Sequence, residues 1–129
     1  MSDNGKFNQT IRLKDGRTLG YTDLGNSDAK PVFHFHGFLG SRLEAILLSE
    51  KDIENLNIRL IGIDRPGIGL SDFKKNRTLL DWPDDVVELT DALGIDKFIV
   101  EGISGGGPYA AACAYKIPEL LHSCGIISG

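Results

Sequence analysis

The pentapeptide Gly102-Ile103-Ser104-Gly105-Gly106 constrains this chain more than any other feature. It separates a strand-like run, Lys97 to Glu101, from a small-residue helix-like run, Pro108 to Lys116. A serine among glycines at a strand-to-helix junction is the setting of a nucleophile elbow, a strained turn that exposes the hydroxyl. Gly102, Gly105 and Gly106 supply the small neighbours that let such a turn close. The helix behind the serine aims its free N–H groups and positive dipole end at the same spot. An anionic tetrahedral intermediate would be stabilised there.

Patterning elsewhere fits a strand-and-helix chain. Phe7 to Leu13 and Thr18 to Leu24 read as a β-hairpin around Lys14-Asp15-Gly16-Arg17. Pro31 to His36 reads as a buried strand, followed by a helix capped by Ser41 with apolar positions Leu43, Ile46 and Leu47. The pair Ile53 and Leu56 leads into a strand over Ile58 to Ile63. Trp82, Val86, Leu89 and Leu93 form one stripe of a helix over Asp81 to Leu93, with Asp81 as N-cap and Gly94 past its end. Leu121 to Ile127 is a last apolar, strand-like run. The order predicts an α/β fold: a mostly parallel sheet with an N-terminal antiparallel hairpin and helices on both faces. Ligand sites in such sheets lie at the carboxyl ends of the strands. His36, Asp64 and Ser104 are all expected at that rim.

Composition excludes several classes. The 129 residues form one domain, 1–129, long enough to bury a core. A net charge of −4 gives no electrostatic case for nucleic acid or an anionic membrane. No apolar stretch approaches a membrane span, and the polar N-terminus lacks a signal-peptide core. Two cysteines, Cys113 and Cys124, are too few for a disulfide framework; both read as small buried core residues. A cytoplasmic, reduced protein is expected. No Cys/His/carboxylate cluster has zinc-ligand spacing, and the glycines of 102–107 lack the lysine and Ser/Thr of a phosphate loop, so no metal or organic cofactor is expected.

Two further segments carry chemistry. His36-Gly37-Phe38 closes a strand and opens a Gly-rich loop, where the Phe38 N–H can serve beside that of Gly105 as an oxyanion donor. Asp64 to Asp72, DRPGIGLSD, makes a rigid turn after a strand. Asp64 can be read as a catalytic carboxylate or as a side chain that fixes the loop through backbone N–H groups, and the second reading is favoured. None of the three histidines is well placed as a base. His34 reads as a satisfied core residue, His36 belongs to the turn, and His122 lies at the opposite rim from Ser104.

DRPGIGLSD and GISGGGPYA, the latter from Gly102 to Ala110, resemble the corresponding loop and nucleophile region of the α/β-hydrolase fold superfamily. The resemblance spans essentially the whole chain. It implies Ser104 as nucleophile, Gly105 and Phe38 as oxyanion donors, His36-Gly37 as the oxyanion-loop motif, and Gly102 and Gly106 as elbow glycines. Serine at the elbow argues against the dehalogenase and epoxide hydrolase branches, which use aspartate there. Family members continue with further strands, a lid, the acid and the histidine, and only 25 residues follow Ser104 of 129. The chain is thus expected to be the N-terminal portion of a hydrolase domain, a truncated core whose last strand is an apolar edge open to self-association or a partner chain. The implied function is hydrolysis of carboxylic esters or related acyl compounds, with a small-molecule acyl substrate. The alternative is a catalytically inactive hydrolase-like module that binds a ligand or a protein.

Overall fold

The computed structural model describes residues 4–127, apart from the side chains of residues 4, 46 and 47. The expected apolar positions Ile46 and Leu47 therefore lie outside the described side chains. In chain order the elements are α1 (Asn4–Phe7), β1 (Gln9–Arg12), β2 (Thr18–Tyr21), β3 (Lys30–Phe35), a 3-10 helix (Arg42–Leu47), α2 (Glu50–Leu56), β4 (Ile58–Ile63), α3 (Trp82–Leu93), β5 (Phe98–Ile103), α4 (Gly107–Lys116) and β6 (Leu121–Ile127). The six strands form one sheet in the order β1-β2-β4-β3-β5-β6. β1 and β2 make the expected antiparallel hairpin, and β4, β3, β5 and β6 run parallel.

Alternation along the central strands divides the core between the two faces. Phe33 and Phe35 of β3, Ile61 and Ile63 of β4, and Phe98 and Val100 of β5 pack with Trp82, Val86 and Leu89 of α3 and Ala110 and Cys113 of α4. Val32 and Leu60 point the other way, against Ala45, Ile53 and Leu24. The expected stripe on α3 is the face that packs, with Trp82 edge-on to Phe35 at 5.4 Å between ring centroids. Pro83 occupies the first turn and Gly94 closes the helix in the left-handed region, φ 70°.

Several expectations need correction. Asp81 stands at the N-cap of α3 but its side chain makes no cap bond there: its carboxylate accepts from the Thr78 N–H in a capping box that begins at Thr78. Ser41 does cap the segment behind it, accepting from Leu43 N–H, but that segment is 3-10 and Leu43 is exposed. Cys113 is buried as expected, and burial pushes its thiol up to about 12. Cys124 is exposed, because β6 is the outermost strand and its residues are half-buried or exposed despite their apolar sequence.

Candidate active site

The carboxyl ends of β3, β4 and β5 bring three segments together. Ser104 follows β5 with φ 51°, the left-handed region that costs an L-residue about 1–2 kcal/mol. The strain is imposed by crowding around it. A Cβ on Gly102 would collide with the Gly106 carbonyl, and one on Gly106 would collide with the Phe35 carbonyl. Only glycine fits at either place, so the turn between β5 and α4 closes tightly against β3. Ser104 is left exposed at the tip.

The turn after β3 lies against this tip. A Cβ on Gly37 would stand 3.5 Å from Ser104 Cβ, and one on Gly105 would stand 3.1 Å from the Phe38 nitrogen. The Gly37 carbonyl is held by the Gly40 N–H at 3.0 Å, by His36 Nδ1 at 2.9 Å and by Arg65 Nη2 at 3.5 Å. A trans peptide is planar, so its C=O and N–H point in opposite directions. Holding the Gly37 oxygen against His36 and Arg65 therefore turns the Phe38 N–H away from them. Phe38 itself is 83% exposed.

His36 is fully buried. Its Nδ1 donates to the Gly37 carbonyl and its Nε2 accepts from the Arg65 N–H at 3.3 Å. One ring nitrogen donates and the other accepts, so the ring is neutral, and burial holds its pKa below the ordinary value. It fastens the turn and has no free nitrogen for Ser104. Asp64 is also fully buried. Its carboxylate accepts from the Arg42 N–H at 2.7 Å, the Leu70 N–H at 2.8 Å and Arg42 Nη1 at 2.9 Å. It fixes the loop after β4, as the structural reading of the sequence expected.

Sequence reasoning missed Arg65 and Glu44. The Arg65 guanidinium is buried, donates to the His36 carbonyl, lies 4.4 Å over the Tyr109 ring and has no carboxylate partner among the described residues. Glu44 accepts from the Gly37 N–H through both oxygens, at 3.2 and 3.3 Å. Among the described residues no histidine or carboxylate hydrogen-bonds the Ser104 hydroxyl. His34 meets Glu44 and Glu101 instead, and His122 is exposed at the start of β6.

A cavity of about 610 Å³ opens at the other ends of β3 and β4, among Phe7, Leu24, Ile53 and Ile58. It is remote from Ser104, and no residue of the rim lines it. No helix of the described residues is long and apolar enough to cross a membrane, and no three His, Cys, Asp or Glu side chains among them are grouped to hold a metal.

A mixed sheet with a glycine-bound serine in the left-handed region directly after β5 has the form of an α/β hydrolase. Residues 30–129 match the family model for the alpha/beta hydrolase fold, and the chain belongs to that family. It is 33% identical over 110 residues to a proline iminopeptidase of Xylella fastidiosa, a match covering 83% of this chain and 34% of the relative. An alpha/beta hydrolase fold protein from Chitinophaga pinensis superposes with TM-score 0.77 at 26% identity, covering 94% of this chain and 43% of the other. A protein of Thermoplasma acidophilum, named as a predicted CIB-like hydrolase, superposes with TM-score 0.78 at 17% identity, covering 92% and 59%. The chain thus spans about a third of the curated relative that it matches.

Proposed function

We propose that Ser104 is the nucleophile of a serine hydrolase acting on carboxylic esters or related acyl compounds. The observation that carries this reading is Ser104 held at φ 51°, exposed, with the Phe38 and Gly105 amides gathered beside it. Ser104 Oγ would attack the acyl carbon while a base takes its proton. The oxyanion would be received by the Phe38 and Gly105 N–H groups, and the leaving group would depart with a proton from the same base. Water would then cleave the acyl-enzyme in the same way. The base is supplied from outside the described residues, since His36 is spent on the turn and His34 on two carboxylates. Amides belong to the same acyl class, and the proline iminopeptidase relative makes a prolyl amide the first one to assay. A cytosolic setting fits the two free cysteines.

The test is a fluorophosphonate probe on the folded chain, read by intact mass, with Ser104→Ala as control. A single adduct that disappears in Ser104→Ala supports the reading. A longer form carrying a downstream histidine that shows no Ser104-dependent hydrolysis overturns it.

A second reading rests on the lack of any base or acid on Ser104 among the described residues. The chain would then be a hydrolase-like binding module. Ligand binding that survives Ser104→Ala without turnover would favour it.

A further inference from the structure

Three half-buried ionisable groups lie beside the rim and take no part in the chemistry above. His34 of β3 stands opposite Glu101 of β5 in the sheet register, with His34 Nδ1 3.5 Å from Glu101 Oε1. On its other side His34 Nε2 lies 2.6 Å from Oε1 of Glu44, on the 3-10 helix. Glu44 in turn accepts from the Gly37 N–H through both oxygens. At the level of His34, β4 presents Gly62, which adds no charge. A Cβ on Gly40 would come within 2.7 Å of Glu44 Oε2, so the turn leaves room for this carboxylate.

The His36–Gly37 peptide is gripped at both ends. Its carbonyl receives the Arg65 guanidinium and its N–H points at the Glu44 carboxylate. Charge-assisted hydrogen bonds of this kind are roughly twice as strong as neutral ones. Opposite charges at the two ends of one peptide dipole fix its orientation, and the next peptide carries the Phe38 N–H.

We propose that Glu44 is a positioning residue: it holds the turn at Gly37 so that the Phe38 N–H faces Ser104, and His34 ties it to Glu101 on the strand that leads into Ser104. The catalytic part of this role rests on the reading of Ser104 as nucleophile; the hold on Gly37 does not. Burial alone would lower the His34 pKa, but Glu101 and Glu44 outweigh it and hold the imidazole above its ordinary value. Deprotonation of His34 releases its charge from Glu44 and loosens the grip.

The experiment has two arms. In the first, backbone amide resonances of Gly37 and Phe38 are followed by NMR across the His34 titration in the wild-type chain, and again in Glu44→Gln. The proposal expects both amides to follow His34 in the wild type and to lose that dependence in Glu44→Gln, with Gly37 amide exchange about tenfold faster. The second arm compares fluorophosphonate labelling rates at Ser104. Glu44→Gln is expected to slow labelling about tenfold to a hundredfold, part of the effect of losing an oxyanion donor. Gly37 and Phe38 amides that ignore His34 in the wild type overturn the proposal, and that measurement needs no variant to fold. So does Glu44→Gln with unchanged amides and labelling. A wild type that does not label at all is a half-site without its base and gives no rate to compare, and the amide arm alone then decides whether Glu44 holds the turn.

Discussion

Gly105 and Phe38 come from turns after β5 and β3, yet a Cβ on Gly105 would stand only 3.1 Å from the Phe38 nitrogen. Two turns far apart in sequence are thereby brought together beside one serine. The arrangement depends on side chains that are absent as much as on those present, and this makes it open to test.

The strain at Ser104 separates function from stability. Ser104→Gly should be more stable than Ser104→Ala by about 1 kcal/mol, because glycine adopts the left-handed region without the penalty that alanine keeps. Both should abolish labelling by fluorophosphonate. Urea unfolding of the two variants checks the order, and an alanine variant as stable as the glycine one would remove the claim of strain.

The elbow glycines should be intolerant. Gly106→Ala places a methyl against the Phe35 carbonyl, and Gly102→Ala places one against the Gly106 carbonyl. Backbone cannot move aside cheaply, so each should cost about 3 kcal/mol, at the upper end for an overpacked site. Gly125→Ala, whose Cβ would meet Glu101 at 3.9 Å, should stay within about 0.5 kcal/mol of wild type. Thermal unfolding of the three variants decides the matter.

Asp64 should behave as a structural carboxylate. Asp64→Ala leaves the Arg42 guanidinium buried with one partner fewer and two backbone N–H groups unpaired, a loss of about 3–5 kcal/mol. A variant with normal stability and lost labelling would instead make it a catalytic acid.

Stability should depend on pH through His34. Its folded pKa lies above the ordinary value of 6.5, so the contribution is fully present below that value and is lost as pH rises through the raised pKa. His34→Gln removes it. The stability gap between wild type and His34→Gln should therefore be widest at acid pH and narrow as pH rises, and urea titrations from pH 5.5 to 8.5 would show it. Taking the difference between the two proteins cancels His36, whose lowered pKa acts in the opposite sense.

The β6 edge should be adhesive. Ile126 and Ile127 are about half exposed on the outermost strand. Open apolar edges pair with other chains. Light scattering after size exclusion should find association that Ile126→Lys weakens, whereas a wild type that is monomeric at every concentration would exclude it.

How legible the molecule was varies with the reach of each interaction. β3, β4 and β5 could be read because each is a short apolar run bounded by turn residues, and α3 because its stripe has a single period. The tight turn at Ser104 was legible because the glycines that let it close are its neighbours in sequence. Arg65 and Glu44 were not: each acts on the turn at Gly37 from another element, and nothing local marks one surface-type charge as buried and the other as half-buried. Cys124 and Leu43 were misread for the converse reason. Apolar residues predict burial only where another element covers them, and β6 is an outer strand.

The strand order has a consequence for assembly. β3 and β5 lie side by side in the sheet, although the chain makes β4 and α3 between them. Pairings of this kind close a long loop and form late, since the entropy of closure must be met before the contacts reward it. The crowding that bends Ser104 into its turn comes partly from the Phe35 carbonyl across that pairing. A probe that reacts only with the strained serine would therefore act as a clock for folding, marking the moment at which the two halves of the chain meet.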